Sequence, residues 1–397
     1  MKKFFKGLDW YLFFPYLLLC GIGIVMVYSS SAGIGLTHGG FATTYMHKQI
    51  GFVIVAMLLM FLMYRINIRF FQHIYTIMGF SVLLVILLLV VFFISKKING
   101  AAGWISLGPI NLQPAELCKF YFIIYFANLF NKRSRFIAQE GLWRATTYNW
   151  KPLLLPVAIL ILILIQPDTG NFAINLFIIL IMFLAASTAP KLVVGVIGFG
   201  LLLPLVLLHF LGEFIIKIAD NSHSYQAQRF VSFADPFLHA QSSGQQLINS
   251  YYAISNGGLF GRGLGNSIQK MGYLAEPNTD FILPVISEEL GLVGVIVIML
   301  LLFIIVARTI KIGIRTTNIY YSTICYGTAA YLLIQTLFNA GGAVGFVPLT
   351  GVTLPFISYG GSSIITLSLC LGLVMKISHN EQSIREKRTS RLHALQN

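Results

Sequence analysis

The chain has 397 residues, of which 57% are hydrophobic and 10% charged, with 27 Lys and Arg against 13 Asp and Glu. Soluble domains carry about 25% charged residues, so this composition excludes one, and a chain so poor in charge does not owe its net +14 to nucleic-acid binding. Cys20, Cys118, Cys325 and Cys370 all lie in apolar runs without disulfide or metal-ligand spacing, and the histidines form no metal-binding motif.

A helix needs roughly 20 apolar residues to cross a bilayer. Candidate runs fall at residues 10–30, 48–64, 73–95, 114–130, 153–165, 167–188, 192–211, 281–307, 319–343 and 356–376. They predict an all-α polytopic membrane protein of about ten transmembrane helices. The fifth run is short and nearly continuous with the sixth, so nine is the alternative count. Lys2, Lys3 and Lys6 precede a run too long for a cleaved leader, which reads as an uncleaved first helix. The chain then divides into a tail at 1–9, helices one to seven over 10–211, a large extracellular loop at 212–280 between helices seven and eight, helices eight to ten over 281–377, and a polar, basic tail at 378–397 that reads as disordered.

Lys and Arg concentrate on the cytoplasmic side of membrane proteins. With the N-terminus inside, the inner segments collect Arg65, Arg69, Lys132, Arg133, Arg135, Arg308, Lys311, Arg315 and the basic tails, while the outer segments hold Lys48, Lys96, Lys97, Lys217, Arg229, Arg262 and Lys270. Both termini are therefore expected in the cytoplasm. A long loop is usually functional, and 212–280 carries Arg229, a Gly-rich stretch from Gly257 to Gly265, Lys270, Glu276 and Asp280.

Ionisable residues in or near the hydrocarbon are costly, and each is a functional candidate. Asp280 stands at the mouth of the eighth span, with Glu288 and Glu289 about 12 Å deeper along a helix and on different faces. The plain alternative is that Asp280 or Thr279 caps that helix and that the glutamates offset its dipole. At the fourth span, Glu116 and Lys119 can pair at i,i+3, either as part of a site or as a mutually neutralising pair. Asp168, after Gln166-Pro167, opens the sixth span as a cap or as a site residue. Gly261-x-Gly263-x-Gly265 has no strand before it and is no dinucleotide fingerprint. Ser358 to Ser363 offers small residues for close helix packing, with hydroxyls that could instead line a cavity.

The candidate residues gather toward one membrane face and show no internal symmetry of the kind that marks a secondary transporter. Five motifs occur in order along the chain: GAAGWISLG (100–108), QPAELCK (113–119), QPDTGN (166–171), the run from Gly257 to Gly291, and LPFISYGGSS (354–363). Together they resemble the SEDS family (shape, elongation, division and sporulation) of peptidoglycan glycosyltransferases over almost the whole length. Two departures are visible. Gly103 stands where the family pattern often has a basic residue, and Leu274 to Asp280 reads LAEPNTD where the pattern commonly has Leu-Pro-Glu-x-His-Thr-Asp.

The resemblance implies polymerisation of lipid II, the undecaprenyl-pyrophosphate-linked disaccharide-pentapeptide, at the outer face of the bacterial cytoplasmic membrane. Building a β-1,4 bond from an α-linked diphosphate donor is one inversion and needs a general base on the acceptor 4-hydroxyl. Asp280 is the expected base, oriented by Glu276 and Glu288. Arg229, Arg262, Lys270 and Lys119 are the candidate pyrophosphate ligands, Lys119 being held by Glu116, and Asp168 is a cavity residue or metal ligand. A divalent cation such as Mg2+ or Mn2+ is the alternative source of positive charge. The run from Gly263 to Lys270 and Phe356-Ile357-Ser358 are closer to the FtsW branch than to the RodA branch, which implies septal wall synthesis, other division proteins nearby, and a class B penicillin-binding protein as transpeptidase partner on spans eight and nine. A lipid II flippase, an elongation polymerase and a non-catalytic scaffold are the competing readings.

Overall fold

The computed structural model describes residues 7–33, 41–94, 103–107, 110–186, 225–241 and 244–396. Its elements are α1 (Trp10–Ser30), α2 (Ala42–Arg65), α3 (Ile74–Ile94), β1 (Ile105–Leu107), β2 (Ile110–Leu112), α4 (Pro114–Tyr148), α5 (Leu154–Ile165), α6 (Thr169–Ala186), α7 (Tyr225–Ala234), α8 (Gln245–Gly257), α9 (Ile282–Arg315), α10 (Ile319–Ala343) and α11 (Gly361–Gln396). The chain is a helical, membrane-embedded protein. Among the described residues, α1, α2, α3, α6, α9 and the Gly361–Lys387 part of α11 are long and apolar enough to cross a bilayer. The expected seventh span (192–211), the start of the outer loop up to residue 224, and Lys96, Lys97 and Lys217 lie outside the described residues.

Helices dominate because a spanning segment must satisfy its backbone internally. In α3 no residue is charged; Leu84 and Leu88 are buried while Met78, Val82 and Ile86 are exposed, the pattern of a helix with lipid on one side and protein on the other. The protein side packs α11 along α2 and α4, α9 against α10, α1 and α8, and α10 against α6 and α4.

The structure departs from the sequence reading in four places. A short antiparallel ribbon pairs Ile105 with Leu112 and Leu107 with Ile110 in the connection between the third and fourth spans, where the sequence reading had no strand. The outer loop contains the helices α7 and α8. The eighth span is discontinuous: Gly291, at φ 71° and ψ −174°, breaks α9 into a half-helix, 282–290, buried from Ile282 to Glu289, and a longer helix, 292–315. Only glycine adopts such a conformation without strain.

The fourth departure is at the C-terminus, where α11 continues to Gln396 instead of ending in a disordered tail. Its extension is held. Ser378 Oγ donates to Asp9 Oδ2 (2.7 Å), Arg308 pairs with the same carboxylate (2.8 Å), and Thr316 Oγ1 donates to Glu381 (2.6 Å). These bonds tie the start of α1, the end of α9 and the 378–381 turn of α11 together.

Candidate active site

A cavity of about 340 Å³ opens where α2, the β1–β2 ribbon, α4, α6, α7, the segment before α9 and the segment before α11 converge. Its walls include Glu116, Asp168, Arg229, Glu276 and Asp280. Five sequence candidates separated by up to 164 positions therefore share one cavity.

Asp280 sits just before α9 but does not cap it; the N-cap position is Phe281, and no side chain caps the helix. Its backbone is strapped down instead. Asn339 Nδ2 donates to Asp280 O (2.9 Å) and to Val352 O (2.7 Å), Ser358 Oγ donates to Thr279 O (2.7 Å), and Tyr359 N donates to Asn278 O (2.8 Å). The segment before α9 is thus bonded along its length to the segment before α11, and the carboxylate is left to the cavity. Burial pushes the Asp280 carboxyl up to about 6; Arg229 opposes the rise, Glu276 adds to it, and the Thr279 hydroxyl opposes it. Thr279 Oγ1 also donates to Glu276 Oε2 (3.3 Å). A carboxylate in this range is mostly ionised near neutrality yet basic enough to accept a proton.

Gly351, at φ +72°, lets the backbone run beneath this group: a Cβ there would lie 3.1 Å from Arg229 Nη2 and 3.3 Å from Asp280 Oδ2. Across the cavity, Asp168 is held by three donors, Gln113 Nε2 (2.7 Å), Asn171 N (3.1 Å) and Asn171 Nδ2 (2.9 Å). A Cβ on Gly103 would face Asp168 Oδ2 at 3.4 Å, so the position at which the family pattern carries a basic side chain is directed at this carboxylate. Glu116 presents one side to the cavity while Oε1 accepts from Lys119 Nζ (2.6 Å) and Oε2 from Tyr331 OH (3.0 Å). Lys119 is fully buried behind it, over the Tyr331 ring.

Three candidates lie elsewhere. Lys270 is buried against Glu289 (2.6 Å) and Ser29 (2.9 Å). Glu288 accepts from Ser267 Oγ (2.5 Å), Gln269 N (3.1 Å) and Asn256 Nδ2 (3.2 Å). Arg262 is exposed, and its N–H donates to Glu288 O (2.9 Å). These residues fasten the Gly-rich loop to the kink in α9 and do not line the cavity. The cavity adds groups that were not site candidates in the sequence, Lys48, Trp104, Gln113, Asn171 and the stretch 350–353, and it takes in 359–363, whose first reading was helix packing. Among the described residues, no three His, Cys, Asp or Glu side chains converge as a metal cage.

A family model, FtsW/RodA/SpoVE, described as cell cycle protein, matches residues 10–383. The chain belongs to this family. A relative from Lactococcus lactis, named probable peptidoglycan glycosyltransferase FtsW, is 38% identical over 94% of this chain and 93% of its own length. A Bacillus subtilis relative of the same name is 36% identical over 95% and 92%. Among solved structures, a chain of a peptidoglycan synthase complex, reported for its structural coordination of polymerization and crosslinking, superposes with a TM-score of 0.70 at 25% identity, covering 94% of this chain and 98% of that one. The rod shape determining protein RodA of Thermus thermophilus gives 0.64 at 26% identity, covering 94% and 97%. Membership in the FtsW/RodA/SpoVE family agrees with the fold expected from the motifs and with their order along the chain.

Proposed function

We propose that the chain is a peptidoglycan glycosyltransferase of the FtsW type, polymerising lipid II at the outer face of the bacterial cytoplasmic membrane during septal wall synthesis, with both termini in the cytoplasm. The observation that carries the reading is the position of Asp280: a half-buried carboxylate lining the cavity, flanked by Arg229 and Glu276.

The reaction needs little beyond this. The acceptor 4-hydroxyl oxygen bonds to the anomeric carbon of the donor as its proton passes to Asp280. The bond from that carbon to the phosphate oxygen breaks, and its electron pair leaves with the lipid diphosphate. This is one inversion at carbon, as in an inverting glycosidase with a sugar hydroxyl in place of water. Diphosphate is a weak base when it leaves, so it needs positive charge more than a proton. Arg229 supplies charge next to the base, and Glu276 orients the Asp280 loop through Thr279. Asp168, fixed by amides, and Glu116 suit hydrogen bonding to sugar hydroxyls.

A divalent cation would fit in one way. Mg2+ is typically held by one or two carboxylates together with substrate phosphates, and Glu276 and Asp280 offer such a pair; a bound ion would add charge opposite the leaving group. Every step above is carried by the chain's own groups.

A polymerase without a crosslinker makes only linear glycan, so a class B penicillin-binding protein is the expected partner, together with other division proteins. The test is to purify the protein with that partner, supply lipid II and resolve the products on a gel. Long glycan from the wild type and none from an intact Asp280→Asn complex supports the reading. Undiminished polymer from Asp280→Asn overturns the mechanism, and lipid II movement into sealed vesicles without polymer replaces it with a flippase.

A further inference from the structure

The cavity walls are rich in acid, and the cations nearby are mostly engaged: Lys119 serves Glu116, and Arg229 faces Asp280. Lys48 differs. It lines the cavity from α2, is exposed at its mouth, and among the described residues has no hydrogen-bond or ion-pair partner. We propose that Lys48 is the ligand of the diphosphate on the donor lipid and that the cavity is polarised, with phosphate at the α2–α11 side and sugar at the α4–α6 side. This deepens the reading above and rests on it.

The placement of Lys48 follows from the helix. Tyr45, Lys48 and Phe52 are spaced i, i+3 and i+7 and so share one face of α2. That face is docked by two rings, since Tyr45 and Phe52 both pack on Tyr359, at centroid distances of 5.4 and 6.0 Å. Gln49 Nε2, the next position round, donates to Ser358 O (3.3 Å). Lys48 therefore projects between two anchors onto the rim formed by Tyr359 and Gly360. The same rim carries the start of α11, where Gly361, Ser362 and Ser363 line the cavity. Backbone N–H groups in the first turn of a helix have no intrahelical acceptor and favour anions.

The opposite wall calls for a different part of the ligand. Asn171 is 5% exposed and lines the cavity, and its Oδ1 accepts no hydrogen bond while its amide group is spent on Asp168. A buried acceptor of this kind suits a sugar hydroxyl or an acetamido N–H and repels phosphate. Lys48 and Asn171 thus read opposite ends of one lipid-diphosphate sugar. In the transfer step, the electron pair released from the anomeric carbon passes to a diphosphate already against the ammonium.

The test uses the full-length protein in detergent and farnesyl diphosphate as the probe, with farnesyl monophosphate as the comparison. Lys48→Ala and Lys48→Gln should each weaken farnesyl diphosphate binding about tenfold or more and abolish the preference for diphosphate. Lys48→Arg should restore most of both, and all three should melt like the wild type. Wild-type affinity and preference in Lys48→Ala and Lys48→Gln would overturn the inference, and if the wild type still polymerises lipid II, the glycosyltransferase reading survives it. Lys48-dependent binding by a protein that makes no polymer would retain the site and remove that reading.

Discussion

Arg229 and Asp280 meet over the backbone of Gly351, whose missing side chain leaves the room in which guanidinium and carboxylate sit together. Gly351→Ala introduces a methyl into that space and places alanine at φ +72°, a conformation costing roughly 1–2 kcal/mol outside glycine. Polymerisation should fall about a hundredfold, the scale of a displaced catalytic group, while the melting temperature drops only a few degrees. Gel assays and thermal denaturation of the same preparation would check both.

The raised Asp280 carboxyl fixes the acid limb of the pH profile. A general base works when deprotonated, so the rate should be half-maximal near pH 6, fall tenfold per unit below it, and level off above pH 7. Arg229 lowers this value, and Arg229→Gln removes a cation, so the limb should move to higher pH. Initial rates of lipid II consumption between pH 5 and 8 would show the shift. An unmoved limb in Arg229→Gln would separate the arginine from the base.

Glu116 and Lys119 form a buried pair in which each group compensates the other. Lys119→Met alone leaves a buried carboxylate without its cation and should cost about 3–5 kcal/mol. Adding Glu116→Gln should recover part of that loss, because a neutral pair no longer carries buried charge. Melting temperatures of the two single variants and the double variant complete the cycle.

Glu288 gathers three donors from the outer loop and α8, and Glu288→Ala releases all of them. At about 2 kcal/mol for a hydrogen bond to a charged group, local opening of 258–273 should rise more than tenfold. Limited proteolysis should then cut this stretch faster in the variant, with the helices resistant in both proteins.

The sequence exposes the carboxylates of the site well and the rest of it poorly, for identifiable reasons. Glu116, Asp168, Glu276 and Asp280 stand out because a bilayer tolerates few acids. Lys270 and Glu288 stand out for the same reason, but nearness to Asp280 along the chain is no guide to their direction: the loop turns back so that Lys270 meets Glu289 and Ser29. Lys48 reads as one more outer-face charge until the packing of Tyr45 and Phe52 on Tyr359 shows where it points. Asn339, which holds Asp280 and Val352 together, is an uncharged residue inside an apolar helix and gives no signal. The β1–β2 ribbon is only three residues per strand, too short for alternation to register. Glycine inside a helical pattern is common enough that Gly291 did not announce a break.

That break changes what the helix carrying Asp280 can do mechanically. An unbroken rod would move its catalytic end whenever its middle tilted in the membrane. At the joint, Gly291, the loop spans the break: the N–H groups of Arg262 and Gly263 donate to Glu288 O and Glu289 O on one side, and those of Leu292 and Val293 donate to Gly258 O and Leu259 O on the other. A load applied to that loop from outside therefore reaches the 282–290 piece, and the base ahead of it, without passing through the joint, and the same bonds limit how far the 292–315 rod can turn against that piece.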